Sequence, residues 1–190
     1  MVELDLHPLT SGRPVRRYVL TGTPGAGKTT LIRALAGRGF PVVEEAATEV
    51  NARMLARGLA QPHLEPDFLD QILALQLERL RAAGDAGPVQ FHDRSPFCTL
   101  ALAEHLGRPV PSPLAREAER LAAAGVFARQ VFFVRNLGFI ERTAVRRITF
   151  EAALAFEQTH EAVYRRLGFD LIEIPPAERS ARLDRIISMV

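Results

Sequence analysis

The sequence predicts an α/β three-layer sandwich around a five-stranded parallel sheet. Three observations carry that reading. Short β-rich runs alternate with helical stretches from residue 16 onward. A glycine-rich loop directly follows the first run and directly precedes the first helix. The later runs are apolar enough to be covered on both faces, as parallel strands are. Strand, crossover helix, strand is the connection that parallel pairing requires.

The elements follow in order. Residues 1–15 are expected to form a loose or edge segment, and "RRYVLT" (16–21) the first strand. A helix over 29–36 is stopped by Gly37 and Gly39, and "FPVVEE" (40–45) reads as the second strand. Residues 46–58 can be helical, and "AQPHLEP" (60–66) is a loop. Over 67–84 the apolar positions 68, 69, 72, 73, 75, 77 and 80 mark a largely buried helix. "PVQFHD" (88–93) is the third strand. Ser95 and Pro96 then give an N-cap with proline at the first helical position, opening a helix to about 106. A proline-rich loop (107–113) leads to a helix over about 114–124 and to the fourth strand, "RQVFFV" (129–134). Residues 135–148 carry four arginines and little alternation. A long helix (149–167), a fifth strand "FDLIEIP" (169–175) and a closing helix complete the chain.

At 190 residues, 47% hydrophobic and 24% charged, the chain is expected to be one domain, 1–190, with a sizeable core. No apolar run approaches the roughly 18 residues of a membrane helix, and no secretion signal is read at the start. Cys98 is the single cysteine, so no internal disulfide forms. A cytoplasmic location and no membrane partner are expected. The net charge of +2, with no block of five like charges, gives no reason to expect a nucleic-acid partner. A homodimer is compatible with the sequence.

The stretch "GTPGAGKTT" carries the chemistry. Gly22, four residues, Gly27, Lys28 and Thr29 complete a P-loop in its proper context, after a strand and before a helix. Backbone N–H groups of Gly22, Pro24-flanking Gly25, Ala26 and Gly27 are expected to converge on a β-phosphate, helped by the positive end of the helix. Lys28 should reach the β- and γ-phosphates, and the Thr29 hydroxyl should ligate Mg²⁺. Thr30 is expected to support the loop and help cap the helix. Lys28 is the only lysine among 24 basic residues, which fits a slim point charge beside a phosphate. The implied ligand is ATP (or GTP) with magnesium.

Other P-loop classes need second signatures that are missing. Asp93 is followed by "RSP", without the glycine of a GTPase DxxG, and Asn136 is followed by leucine, not by a guanine reader. An LSGGQ-like stretch is absent, and there is little room for the lid domain of a hexameric AAA+ ATPase. Two carboxylates close the second strand, Glu44 and Glu45, and Asp93-Arg94 closes the third. In a doubly wound sheet these ends gather on the P-loop edge. A hydroxyl acceptor there needs a carboxylate to take its proton, and the transferring phosphoryl needs positive charge.

With "GTPGAGKTTLIRAL", "GFPVVEEAATEV", the helix around Gln76, "FHDRSPFCTLAL", "VFFV", "RTAVRRITFEAA" and "VYRRLGFDLIEIP", the chain resembles the small bacterial predicted ATPases of the AAA P-loop group. These are similar to the kinase domain of nicotinamide-riboside kinase and to nucleoside and nucleotide kinases. Two departures stand out. Thr48 occupies a place where the pattern carries arginine, and Thr143-Ala144 one where an acidic residue often precedes the lid arginines.

The resemblance implies a P-loop NTPase of the nucleotide-kinase type with a short arginine-bearing lid at 135–148. Arg142 and Arg146, four apart and so on one helical face, would close on the γ-phosphate; the alternative is a solvated basic face. Alternation sends Glu44 and Glu45 to opposite faces, so one alone can act as general base, and the resemblance favours Glu45. Asp93 is a candidate for magnesium contact or acceptor activation, and Arg94 for acceptor or phosphate contact. The segment Pro175-Pro176-Ala177 falls where adenine rests in the resembling kinases. His63, His92 and His105 lack metal-ligand spacing, and His92 and Cys98 read as packing residues. The leading expectation is a Mg-ATP-dependent kinase of a small, nucleoside-like hydroxyl acceptor. The alternatives are an NTP hydrolase acting as a switch or partner-binding ATPase, and a kinase that modifies an antibiotic or cell-wall precursor.

Overall fold

Residues 15–136 and 149–190 are described in a computed structural model of the chain. Arg142 and Arg146 of the expected lid, and nearly all of the expected N-terminal segment, lie outside them. The strands are β1 (Arg16–Thr21), β2 (Val42–Val43), β3 (Val89–Asp93), β4 (Gln130–Val134) and β5 (Asp170–Ile174). The helices are α1 (Lys28–Gly37), α2 (Ala46–Ala56), α3 (Phe68–Ala83), α4 (Pro96–His105), α5 (Ser112–Ala123), α6 (Phe150–Arg166) and α7 (Arg179–Ile187). A short 3₁₀ turn, Pro62–Leu64, interrupts the loop before α3.

All five strands are parallel, in the order β2-β3-β1-β4-β5. That order explains a departure from expectation. Only β3, β1 and β4 are covered on both faces; the edge strands β2 and β5 are partly exposed. The second strand is also shorter than 40–45. Pro41 has no N–H to give a ladder, and the backbone turns at Glu45, the N-cap of α2. The helix expected from 114 starts at Ser112, because Pro113 fits the first turn.

Side-chain alternation divides the core in two. Tyr18, Leu20, Phe91, Phe132, Val134 and Ile174 point to the face covered by α1 and α7, where they meet Leu31, Leu35, Leu183 and Ile186. Val19 and Val131 point to the other face, beneath α2 to α6. On the first face Tyr18 lies 5.9 Å from Phe91 and 5.5 Å from Phe132, centroid to centroid. This aromatic stack pins the central strands in register, with Leu20 opposite Asp93 and Thr21 opposite Phe133. The carboxyl ends of β1, β3 and β4 therefore share one edge. The connections leave β1's two neighbours in opposite directions there, which is where such sheets bind ligands.

The start of the glycine loop is fixed by that sheet. Gly22 has φ 122°, and a Cβ on it would stand 2.2 Å from the Val134 carbonyl oxygen of the adjacent central strand. A backbone atom of a central strand cannot move aside. Gly22→Ala is therefore expected to destabilise the protein by about 3 kcal/mol, from left-handed strain and overpacking together. Gly37→Ala, with open space around it, should stabilise by about 0.5 kcal/mol. Urea denaturation of the two variants checks both signs.

Candidate functional site

The site grows out of the turn after β1. Gly25 and Gly27 take left-handed φ values of 87° and 85°, which lets the loop curl over the start of α1. Gly27 is the N-cap, so α1 begins at Lys28, one residue before the expected start. Thr30 then lies in the first turn, exposed and without a hydrogen bond from its side chain, and does not cap the helix. Lys28 folds back across the loop, its Nζ donating to the carbonyls of Gly22 (3.0 Å) and Thr23 (2.6 Å). Burial, then the nearby Arg94 cation, push its pKa down to about 7, against the pull of Asp93 and Glu45.

Asp93 ends β3 and is 3% exposed. Its Oδ2 accepts from the Thr29 hydroxyl at 3.0 Å, while its buried Oδ1 has no partner. Burial and the neighbouring Glu45 raise its pKa above the usual range, although Lys28 and Arg94 oppose this. An orphaned buried carboxylate oxygen beside a threonine hydroxyl fits a divalent cation. Among the described residues no group of three His, Cys, Asp or Glu side chains could hold a metal alone. Magnesium would therefore need Thr29, Asp93 and the phosphates of a nucleotide together, as Mg²⁺ sites of this kind do.

Glu45 and Arg94 complete the cluster. Glu45 Oε1 accepts from Arg94 Nε at 2.5 Å, and Oε2 from the Thr48 hydroxyl at 2.6 Å. Burial would raise the Glu45 pKa, but Arg94, Lys28 and Thr48 outweigh it and hold the carboxyl below its ordinary value. Glu44 and Glu45 both lie beyond the two-residue strand; Glu44 is exposed and lines a neighbouring pocket, while Glu45 is the one held by Arg94 and Thr48. The substitution of threonine at position 48 has a consequence: Thr48 steadies Glu45 without adding charge. Arg94 has φ 72°, the one positive value among described non-glycine residues. Such strain, about 1–3 kcal/mol, persists where the surroundings over-determine it and clusters at functional sites.

Beside these groups lies a small pocket lined by Glu44, Gln76, Arg79, Asp93, Arg94 and Pro96, among others. Gln76 Oε1 there accepts from Thr99 at 2.8 Å. Lys28, Thr29, Glu45, Asp93 and Arg94 are thus brought to one place. Arg142 and Arg146 fall outside the described residues. Arg135, first of the four arginines in 135–148, is anchored by Glu157, Glu161 and Glu173. Pro175, Pro176 and Ala177 are exposed at the same sheet edge. His92 is buried edge-on to Phe127, its pKa lowered by burial to about 3.

Three contributors were not read from the sequence. Arg182 of α7 donates to the Ala26 carbonyl of the loop (2.9 Å) and to the Arg135 carbonyl (3.1 Å). Tyr164 of α6 shares hydrogen bonds with Ser95 (2.8 Å) and Cys98 (3.1 Å), and Cys98 with Thr21 (3.2 Å). His160, one turn before Tyr164, is fully buried against Arg94. The spacing 156, 160, 164 put a histidine on an otherwise aromatic helix face, the one signal available.

Residues 17–182 match the AAA domain family, and the chain belongs to that family. No curated protein matches it significantly. Among solved structures, deoxyadenosine kinase from M. mycoides, bound to dCMP and dCDP, superposes with a TM-score of 0.60 at 14% identity, over 91% of this chain and 97% of that one. The NadR protein in complex with NR superposes with a TM-score of 0.66 at 17% identity, over 92% of this chain and half of NadR. A second NadR structure, with NAD and AMP-PNP, gives 0.63. The fold is therefore that of P-loop nucleotide kinases, and the loop implies nucleotide binding. Among the described residues no helix is long and apolar enough to cross a membrane.

The lowered Lys28 pKa has a measurable sign. A phosphate beside the lysine favours its charged form, so nucleotide binding should take up a proton above about pH 7. Affinity for ATP should fall as pH rises past that point, approaching about tenfold per pH unit. Calorimetric titration at pH 8 in two buffers of different ionisation enthalpy should give different apparent heats. Equal heats would mean that Lys28 is already charged in the free protein.

Proposed function

We propose that this AAA-domain protein is a Mg-ATP-dependent kinase that moves the γ-phosphoryl group to a hydroxyl of a small, nucleoside-like acceptor. The observation that carries the reading is Glu45: a carboxylate kept ionised, with each oxygen held by a separate donor, in the same cluster as the P-loop lysine. Being ionised at neutral pH and fixed in place, it can take a proton from a positioned hydroxyl, with its position and not its basicity as the advantage. The acceptor class is supported by the likeness to a deoxyadenosine kinase and to NadR bound to NR.

In this reading Lys28 leaves its loop carbonyls and meets the β- and γ-phosphates, while the loop N–H groups and the α1 dipole hold the β-phosphate. The acceptor hydroxyl sits between Glu45 and the γ-phosphorus. As its oxygen bonds to phosphorus, its proton passes to Glu45 and the bond from phosphorus to the β,γ-bridging oxygen breaks, releasing ADP. Magnesium on Thr29 and Asp93 would supply further positive charge at the phosphates. Arg94 orients Glu45 and offers positive charge to acceptor or phosphoryl. Arg142 and Arg146 are assigned the same service.

The test is incubation of γ-labelled ATP with a panel of nucleosides that includes deoxyadenosine and nicotinamide riboside. Label should appear in a nucleoside product. Release only as phosphate, at one rate with or without each acceptor, would sink the kinase reading in favour of a hydrolase. Glu45→Gln should lower kcat by roughly 10²–10⁴ with ATP affinity retained, whereas Glu44→Gln should act like the parent. Lys28→Ala should lose MgATP binding.

A further inference from the structure

We infer that His160 is a positioning residue: a fixed hydrogen-bond acceptor that sets the orientation of the Arg94 guanidinium, and through it the carboxylate of Glu45. The role in transfer rests on the kinase reading; the positioning rests on geometry alone. Arg94 Nη1 and His160 Nε2 are 3.2 Å apart. A guanidinium only donates, so Nε2 must be the accepting nitrogen and the ring proton must sit on Nδ1. Nδ1 in turn lies 2.9 Å from the Phe156 carbonyl, one turn back in α6, and donates to it. Both ring nitrogens are therefore committed and one tautomer is selected.

The ring cannot rotate away. It is fully buried, with the Phe156 ring 4.2 Å distant between centroids. One turn further along α6, Tyr164 bonds to Ser95, the residue after Arg94. Successive turns of α6 thus hold both the side chain of Arg94 and the backbone that bears it. That hold matters because Arg94 has a rival acceptor. Asp93 Oδ1 is adjacent in sequence, buried and without a partner. A guanidinium free to swing would be drawn to that oxygen and would occupy the place where a cation joins Thr29. With Nε given to Glu45 and Nη1 to His160, the guanidinium stays off Asp93. Those two bonds use two of the five N–H donors of the guanidinium, and Arg94 lines the pocket.

The experiment is ¹⁵N NMR of the arginine side chains in the full chain, with Arg94 assigned through Arg94→Lys. In the parent, hindered rotation should give Arg94 two separate Nη signals. His160→Phe keeps a ring but removes the acceptor and should merge them. His160→Gln returns an acceptor oxygen near Nε2 and should separate them again. Should His160→Phe lose its folded amide spectrum, His160→Asn takes its place, since its amide is too short to reach Arg94. Two separate signals in the acceptor-less variant would overturn the proposal. In the nucleoside assay the same variant should lose at least tenfold in kcat with KM for ATP unchanged, and His160→Gln should recover most of it. Unchanged kcat there would also overturn the role in transfer. If the parent itself phosphorylates no nucleoside, the kinase reading fails while the NMR comparison still decides what His160 does.

Discussion

Two cations and two carboxylates are drawn out of water at one edge of the sheet, and the rest of the molecule is arranged to keep them in balance. Lys28 and Asp93 are almost wholly buried, and Glu45 and Arg94 are largely so. None could be buried there alone, because an unpaired charge in a protein interior costs several kcal/mol. Each is delivered by a different device: a loop entering α1, the end of β3, the first residue beyond it and the N-cap of α2. The parallel register is what makes those devices converge. Removing any one charge changes the balance felt by the other three.

The balance also divides the work between the carboxylates. Burial and then Glu45 raise the Asp93 pKa, whereas at Glu45 the effect of burial is outweighed by Arg94, Lys28 and Thr48, so the two move in opposite directions. Pairs of titratable groups pushed apart by their surroundings are a mark of assigned roles. Glu45 is ready to accept a hydrogen bond at neutral pH. Asp93 keeps an oxygen whose ionisation improves when positive charge arrives. The residue that pairs with Glu45 is also the one with a left-handed backbone.

Much of this was legible in the sequence because its signals are local. The P-loop is nine consecutive residues, the alternation of elements is read in short windows, and the gathering of Glu44 and Glu45 with Asp93-Arg94 at one edge follows from strand ends in a parallel sheet. Edge strands were harder. The sequence of β2 looks like that of a buried strand, yet the order of the sheet leaves it two residues long at the margin. His160 and Arg182 were not legible as site residues. Their partners Arg94 and Ala26 lie 66 and 156 positions away, and no local pattern encodes a contact at that range. Arg182 is one of three arginines on the closing helix, and nothing in its local sequence marks it as the one that is 4% exposed.

The Arg182 brace has a consequence for how the protein comes into being. The phosphate loop is translated well before the guanidinium that steadies its Ala26 carbonyl, which comes 156 residues later. During synthesis the loop exists for most of that interval without its brace. Its final shape arrives only when α7 docks beside α1 and β5. The bracing of this loop is thereby tied to the arrival of α7, a built-in delay between translating a motif and bracing it.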